Sequence, residues 1–174
     1  FEGSFPGTRW SLFGDPTWDK EGYQFLNGSY SGYCAGGGTH AVDPPGPYPN
    51  DMHAMMAYGP FDLSEASDAV LLFSFWIQSE SENDKLFVGA RREASGPYYG
   101  VSRWGDHGGW ENASFDLTDV YTLGDLTGEP EVWIAFSFRS NESVRYEGAY
   151  LDDIVLRASA ESTGGPRALL PLIM

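Results

Sequence analysis

Two stretches of alternating residues constrain the fold of this chain more than any other feature. In residues 69–78, large apolar side chains occupy every odd position from Leu71 to Ile77. Residues 131–139 repeat the pattern at the even positions from Val132 to Phe138. Successive side chains of a β-strand point to opposite faces, so each stretch predicts a strand with one face in a core. Long helical periodicity is missing, which favours an all-β protein.

Turn-forming residues separate shorter stretches of the same kind. The chain has 22 glycines, 11 prolines and 16% aromatic residues, a composition typical of an all-β protein. Asn27-Gly28 is predicted to be a hairpin turn, and residues 35–50 a long loop. Further strands are predicted at residues 9–13, 51–58, 85–92, 98–104, 110–117 and 148–156.

The length of 174 residues predicts one domain with a substantial core. We expect this domain to cover residues 1–157, because residues 158–168 are small and polar, as in a flexible linker. Residues 169–174 form an apolar tail. One hypothesis is that the tail adds as a strand to a sheet edge, its own or that of a neighbouring subunit, with Pro171 limiting it to edge pairing. The alternative is a remnant of processing or sorting.

The net charge of −15 restricts the partners of the chain. Nucleic acid is excluded, because neutralising phosphates requires clusters of basic residues, and anionic membrane surfaces are disfavoured for the same reason. Membrane insertion is excluded as well, because the apolar tail is far shorter than the ~20 residues that span a bilayer. The chain starts at Phe1 without a methionine or a signal-like segment, so we expect a processed piece of a longer precursor.

The sequence contains no recognisable catalytic motif. Its histidines, His40, His53 and His107, are scattered, and neither a His-Glu-x-x-His zinc motif nor a Gly-x-Ser-x-Gly elbow occurs. Cys34 is the single cysteine, which excludes an intrachain disulfide and a cysteine-based zinc site. The sequence therefore predicts a protein that is not an enzyme.

Two adjacent carboxylates, Asp152 and Asp153, interrupt the otherwise apolar strand predicted at residues 148–156. Because neighbouring side chains alternate, one carboxylate must lie near the core or at its rim, where it needs a cation or several hydrogen-bond donors. With 10 Lys and Arg against 25 Asp and Glu, protein cations are scarce, so a Ca²⁺ ion is a candidate partner. The alternative is that Asp152 accepts backbone N–H groups while Asp153 faces water.

Several short phrases occur in the order seen in MAM-like jelly-roll domains. They are Phe1-Glu2-Gly3, residues 59–64, the strand 71–76, Gly109-Trp110 followed by residues 115–118, and residues 148–155. The chain resembles the bacterial extracellular version of this fold, the choice-of-anchor J or immune-inhibitor-A-associated domain, over residues 1 to about 157. The resemblance implies a two-sheet antiparallel jelly-roll β-sandwich, secreted or attached to the cell surface. The disulfide cysteines of MAM domains are absent.

The resemblance also implies a position for the calcium ion. In related carbohydrate-binding jelly rolls, an early Glu and an Asp of the last strand hold a structural Ca²⁺, and Glu2 and Asp152 occupy those positions here. We expect a ligand set of Glu2, Asp51, Asp152 and Asp153 with backbone carbonyls from residues 35–51. Such an ion would fasten both ends of the domain to a long loop.

Aromatic residues suggest a surface for a glycan or another surface polymer. Trp76 and Trp133 each lie opposite the apolar set of their strand, so if the two strands share a sheet, both rings lie on one outer face with Phe87 and Arg91. Tyr99, Trp104 and His107 form a second candidate rim. The alternatives are that the 35–50 loop covers this face and that residues 98–107 are a plain hairpin. We therefore expect an extracellular binding or adhesion module; the alternative is an assembly subunit that binds its neighbour through the tail.

Overall fold

The computed structural model describes residues 1–8, 10–160 and 169–173, and this part of the chain is all-β with no helix. The apolar, β-branched and aromatic stretches form the strands, and the glycine- and proline-rich segments form the turns. The strands are β1 (Trp10–Phe13), β2 (Thr17–Glu21), β3 (Ser31–Gly37), β4 (His53–Phe61), β5 (Asp68–Gln78), β6 (Lys85–Arg91), β7 (Tyr99–Arg103), β8 (Glu111–Asp116), β9 (Val132–Arg139), β10 (Gly148–Ser159) and β11 (Leu169–Ile173).

The strands form two antiparallel sheets. Sheet A has the order β1-β4-β9-β6-β7, and sheet B has the order β2-β3-β10-β5-β8, with β11 paired to β10. Neighbours within a sheet are mostly distant in the sequence, so the chain crosses repeatedly from one sheet to the other. The predicted two-sheet antiparallel jelly-roll sandwich is confirmed.

The core lies between the sheets and contains the residues that the alternation assigned to it. Leu71 and Ile77 of β5 are fully buried, and so are Ile134 and Phe138 of β9. Across the core, the rings of Phe73 and Phe136 meet edge to face, with centroids 5.1 Å apart. Burying each such side chain contributes roughly 1.5–3 kcal/mol, so these two central strands provide much of the stability of the sandwich.

The tight turn predicted at Asn27-Gly28 is wrong: β2 and β3 do pair as an antiparallel hairpin, with Glu21 opposite Ser31, but residues 22–30 form its loop. Residues 22–30 form no strand and instead fold over the outer face of sheet B. The Leu26 and Asn27 N–H groups donate to the Asp152 carboxylate, and the Gln24 amide donates to Glu147. Side chains distant in the sequence therefore satisfy polar groups that a tight turn would have paired with each other.

The apolar tail pairs with its own domain. Strand β10 continues to Ser159, two residues beyond the domain end expected at residue 157, and β11 pairs antiparallel with residues 155–159 of β10. Pro171 lies opposite Arg157, in a strand whose described partner is β10 alone. Proline has no backbone N–H, so it is tolerated in an edge strand, where one side of the strand needs no hydrogen-bond partner. Most of the predicted linker, residues 161–168, lies outside the described residues.

Candidate functional site

The outer face of sheet A carries an aromatic and basic surface. Strand register places its residues in rows across the sheet, because Phe87 pairs with Ser137, Gly89 with Ala135, and Arg91 with Trp133. The residues of this face on the strands are Ser11, Phe13, His53, Met55, Ala57, Lys85, Phe87, Gly89, Arg91, Gly100, Ser102, Trp133, Ala135, Ser137 and Arg139, and Tyr98 adjoins them just before β7.

Small residues cross the middle of this face and allow Phe87 to lie flat on the sheet. Ala57, Ala135, Gly89 and Gly100 occupy consecutive positions in one row. A Cβ atom at Gly89 would lie 2.5 Å from Cζ of Phe87, so the ring covers the position that a larger side chain would fill. The ring remains partly exposed. The result is a partly exposed aromatic ring packed over a row of small residues, of which Ala57, Gly89 and Ala135 are buried.

Arg91 lies between two aromatic rings at one end of the face. Its Cζ is 4.5 Å from the ring centroid of Tyr98 and 5.4 Å from that of Trp133, distances suited to cation–π attraction. Burial raises the pKa of Tyr98, while the neighbouring Arg91 opposes the rise. Nη1 of Arg91 donates to the Gly96 carbonyl at 3.3 Å, whereas its buried Nε–H has no acceptor among the described residues.

A row of basic residues crosses the opposite end of the face. His53 pairs with Arg139, and Arg139 pairs with Lys85, so the three lie side by side on β4, β9 and β6. Burial, and then the charge of Arg139, lower the pKa of His53 below its ordinary value. Ion pairs among the described residues join His40 to Asp15, Arg92 to Glu129 and His107 to Glu111, and none of them involves this row.

Trp76 does not belong to this face. The expectation that Trp76 and Trp133 share a surface required their strands to share a sheet, but β5 lies in sheet B and β9 in sheet A. Each ring does lie opposite the core residues of its strand. The Trp76 ring packs edge to face against buried Tyr150, with centroids 5.5 Å apart. The structure brings Trp133, Phe87 and Arg91 together and places Trp76 on the other side of the sandwich.

The second candidate rim lies on the connection between the sheets. Tyr99 faces the side opposite Tyr98 and packs against the core. Trp104 is 41% exposed, and its carbonyl is 3.1 Å from Nε2 of His107. Nδ1 of His107 lies 2.8 Å from Glu111. The hairpin alternative holds for β7 itself, which pairs antiparallel with β6, whereas residues 104–110 are a crossover connection, because β7 belongs to sheet A and β8 to sheet B.

The long loop between β3 and β4 makes its described contacts at one end of the sandwich. The Tyr48 hydroxyl donates to the buried Asp84 carboxylate at 2.5 Å, and the Asn50 amide donates to the Glu142 carbonyl at 2.7 Å. A second donor to Asp84 is the Asn141 N–H at 2.7 Å. These contacts tie the loop to residues 140–147. They do not involve the outer face of sheet A.

Glu2, Asp152 and Asp153 lie together at a different place. All three line a pocket of about 680 Å³ beside the N-terminal segment. Glu2 Oε1 accepts the N–H groups of Ser29 and Tyr30, both at 2.9 Å. The Ser29 N–H has the largest effect on the Glu2 carboxyl and lowers its pKa below the ordinary value, with burial opposing and the Tyr30 N–H adding to the lowering.

Asp152 is buried and satisfied by N–H donors. Its Oδ2 accepts from Leu26 at 2.9 Å and Asn27 at 3.1 Å, and its Oδ1 accepts from Asp153 at 2.8 Å. Asp153 is exposed, has a φ of 49° at the bulge in β10, and accepts from the Asn27 amide. Asp152 is therefore buried under the 22–30 loop on the outer face of sheet B, and not on the core side where alternation predicted one of the two carboxylates; the bulge lets Asp153 face water.

These carboxylates do not form the complete ligand set expected for calcium. Asp51 does not line the pocket; it precedes β4, where its N–H donates to the Asn141 carbonyl. Three N–H groups already donate to the Asp152 carboxylate, so its charge is stabilised without an ion. No group of three or more His, Cys, Asp or Glu residues in the described chain is arranged to hold a metal. Calcium stays a prediction.

Sequence reasoning missed part of the sheet A surface. It did not include His53, Lys85, Tyr98 or Arg139 among the candidate site residues. Alternation indicates that Lys85 and Arg139 face away from the core, but only the pairing of β4, β9 and β6 shows that the basic residues form one row.

No helix long and apolar enough to cross a membrane occurs among the described residues.

The fold defines the chain as a jelly-roll sandwich module, and solved structures share it. TmCBM61, solved in complex with β-1,4-galactotriose, is similar with a TM-score of 0.53 and 11% identity over 84% of this chain and 86% of that chain. A cleaved adhesin domain of Lys-gingipain from Porphyromonas gingivalis is similar with a TM-score of 0.54 and 14% identity, over 88% and 91% of the two chains.

The family 30 carbohydrate-binding module of a cellulosomal cellulase from Clostridium thermocellum has a TM-score of 0.50 and 12% identity, over 86% of this chain and 84% of that chain. Identities this low establish similarity of fold alone. No protein-family model and no curated protein matches the chain. Its resemblance to MAM-like domains therefore stays a prediction.

Proposed function

We propose that this chain is a non-catalytic, extracellular glycan-binding module whose ligand lies on the outer face of sheet A. The observation that carries the proposal is the arrangement of Trp133, Arg91, Tyr98 and Phe87 around a strip of small residues. Each of the four side chains is partly exposed, so a ligand can reach them. Flat aromatic rings pack against the apolar faces of sugar rings, and the guanidinium supplies hydrogen bonds for orientation.

The solved structures with this fold support a binding role as an analogy. Two of the three are carbohydrate-binding modules, and the third is an adhesin domain. A shared fold does not establish a shared ligand, so the residues of the sheet A face carry the proposal.

The experiment compares two tryptophan substitutions on opposite sides of the sandwich. We expect Trp133→Ala to weaken binding to a polysaccharide ligand by roughly tenfold or more, as for a central aromatic residue of an interface. Trp76→Ala is the matched control, because it removes the same side chain from sheet B. Affinity electrophoresis against a polysaccharide panel measures both. Loss of binding in Trp76→Ala with retention in Trp133→Ala would place the site elsewhere, and absence of binding to every polysaccharide would refute the proposed function.

The assembly alternative depends on the tail engaging a neighbouring subunit. The pairing of β11 with β10 gives the tail a place in its own sheet, so this alternative has less support than glycan binding.

A structural calcium ion at Glu2, Asp152 and Asp153 is a separate prediction from the sequence. If an ion binds only the folded state, excess chelator lowers the melting temperature. An unchanged melting temperature would show that no ion binds there. The partners of the Glu2 and Asp152 carboxylates would then be the N–H groups of residues 26–30.

A further inference from the structure

We infer that the ligand of the sheet A face is an anionic polysaccharide, and that Lys85, Arg139 and Arg91 bind its carboxylate or sulfate groups. This inference rests on the proposed function and adds the chemical class of the glycan.

The first argument is the distribution of charge. The chain has 25 acidic and 10 basic residues, yet the strand residues on the outer face of sheet A include Lys85, Arg91 and Arg139 and no acid. The outer face of sheet B is mixed, because Asp68, Asp116 and the buried Asp152 lie on it together with Arg157. A face without acids in such an acidic protein attracts anions locally while the rest of the surface repels them.

The second argument is the row of His53, Arg139 and Lys85. Like charges directly opposite each other on neighbouring strands destabilise a sheet, so this row does not contribute to the stability of the fold. None of the ion pairs among the described residues neutralises it. With the pKa of His53 lowered, Lys85 and Arg139 carry the charge at neutral pH. A row of cations without acidic partners is complementary to an anionic ligand.

The third argument is the unsatisfied donor of Arg91. Its Nε–H is buried without an acceptor among the described residues, and its Nη1 donates to the Gly96 carbonyl at a long 3.3 Å. The two aromatic rings hold the guanidinium in place, which reduces the entropy lost when a ligand binds. The planar fork of arginine matches two oxygens of a carboxylate or a sulfate.

The spacing of these cations favours a polymer over a small anion. Lys85 and Arg91 lie at opposite ends of β6, about 20 Å apart at ~3.3 Å per residue. Phe87 lies between them on the same face. A chain of sugars that runs along β6 and β9 can therefore contact the basic row, the Phe87 ring and the Arg91–Trp133 pair at once.

The experiment measures binding to anionic and neutral polysaccharides at two salt concentrations. Polygalacturonate and alginate supply carboxylates, dextran sulfate supplies sulfates, and β-1,4-galactan and mixed-linkage β-glucan are the neutral polymers. We expect binding to at least one anionic polymer, weakened by added salt because salt screens exposed charges. Preference for the carboxylate or the sulfate polymers identifies the source of the charge.

Charge reversal tests the residues. We expect the double variant Lys85→Glu and Arg139→Glu to bind at least about tenfold more weakly, because it loses charge-assisted contacts with the ligand. The control is Arg145→Glu with Arg157→Glu, which changes the net charge equally at exposed positions outside the sheet A face, and we expect a change within about threefold. If the reversed variant does not fold, Lys85→Gln with Arg139→Gln replaces it.

Two results would overturn the inference. The first is preference for a neutral polymer with unchanged binding in the Lys85 and Arg139 variant; the proposed function would survive if Trp133→Ala still abolished that binding. The second is stronger binding to duplex DNA or phosphatidylserine vesicles than to every anionic polysaccharide at equal salt. In that case the basic row would serve another kind of partner.

Discussion

Gly89 allows the Phe87 ring to lie flat on sheet A. A Cβ atom there would lie 2.5 Å from Cζ of Phe87 and 2.7 Å from the Tyr99 carbonyl oxygen. The ring is free to move but the backbone oxygen is not, so an added methyl group disturbs both the surface and the pairing of β6 with β7.

We therefore expect Gly89→Ala to lower the free energy of unfolding by roughly 1–3 kcal/mol, the usual range for overpacking, and to weaken glycan binding as well. Ser102→Ala on the neighbouring strand is the control, because it removes an atom from the same face without adding volume. Chemical denaturation and affinity electrophoresis measure the two effects. Wild-type stability and binding in Gly89→Ala would show that the flat ring is not required.

The sequence could predict part of the site at this scale. Alternation with Phe136 and Phe138 predicts that Trp133 faces away from the core, and the same reasoning applies to Phe87. The position of Arg91 between two rings could not be predicted, because Tyr98 reaches it from just before β7 and Trp133 from a strand distant in the sequence.

The loop between β2 and β3 is held by carboxylates from both ends of the domain. Glu2 accepts the N–H groups of Ser29 and Tyr30, and Asp152 accepts those of Leu26 and Asn27. Because the pKa of Glu2 is lower in the folded state, its contribution to stability is present above the ordinary value of 4.5 and is lost as the pH falls through the folded value.

We expect the amide signals of Ser29 and Tyr30 to titrate together in NMR spectra, with a midpoint below pH 4.5. Glu2→Gln should abolish this titration, because the amide oxygen does not ionise in this range. A midpoint at or above 4.5 would contradict the described hydrogen bonds.

Asp84 fixes the end of the sandwich where the long loop meets residues 140–147. It is fully buried and accepts the Tyr48 hydroxyl and the Asn141 N–H. Asp84→Ala removes the short acceptor of the buried Tyr48 hydroxyl and of the partly buried Asn141 N–H, so we expect it to lower the free energy of unfolding by roughly 3 kcal/mol. Glu93→Ala, at an exposed position, is the control. Equal unfolding midpoints of the two variants in urea would show that this network contributes little.

For the molecule as a whole, local patterns predicted most strands but not their assignment to sheets. Alternation in residues 69–78 and 131–139 identified the two central strands and their core faces. It contains no information on which strands pair across long crossovers, and for that reason Trp76 and Trp133 were expected on one surface. The tight turn expected at residues 27–28 is a longer loop for a related reason, because N–H groups of this loop bind a side chain far away in the chain.

The tail has a testable role at this scale. Since β11 pairs with β10 of the same chain, we expect a chain that ends at Ala160 to keep the oligomeric state of the full chain. Size-exclusion chromatography with light scattering measures the mass of both. A shift to smaller species after truncation would instead support assembly through the tail.

The central claim is that the outer face of sheet A binds the ligand. The most direct measurement follows the tryptophan indole N–H signals by NMR while an oligosaccharide fragment of a polysaccharide that the protein binds is titrated into the intact protein. We predict that the Trp133 signal shifts and that the Trp76 signal, from the opposite sheet, does not. A shift of Trp76 with an unchanged Trp133 signal would contradict the account.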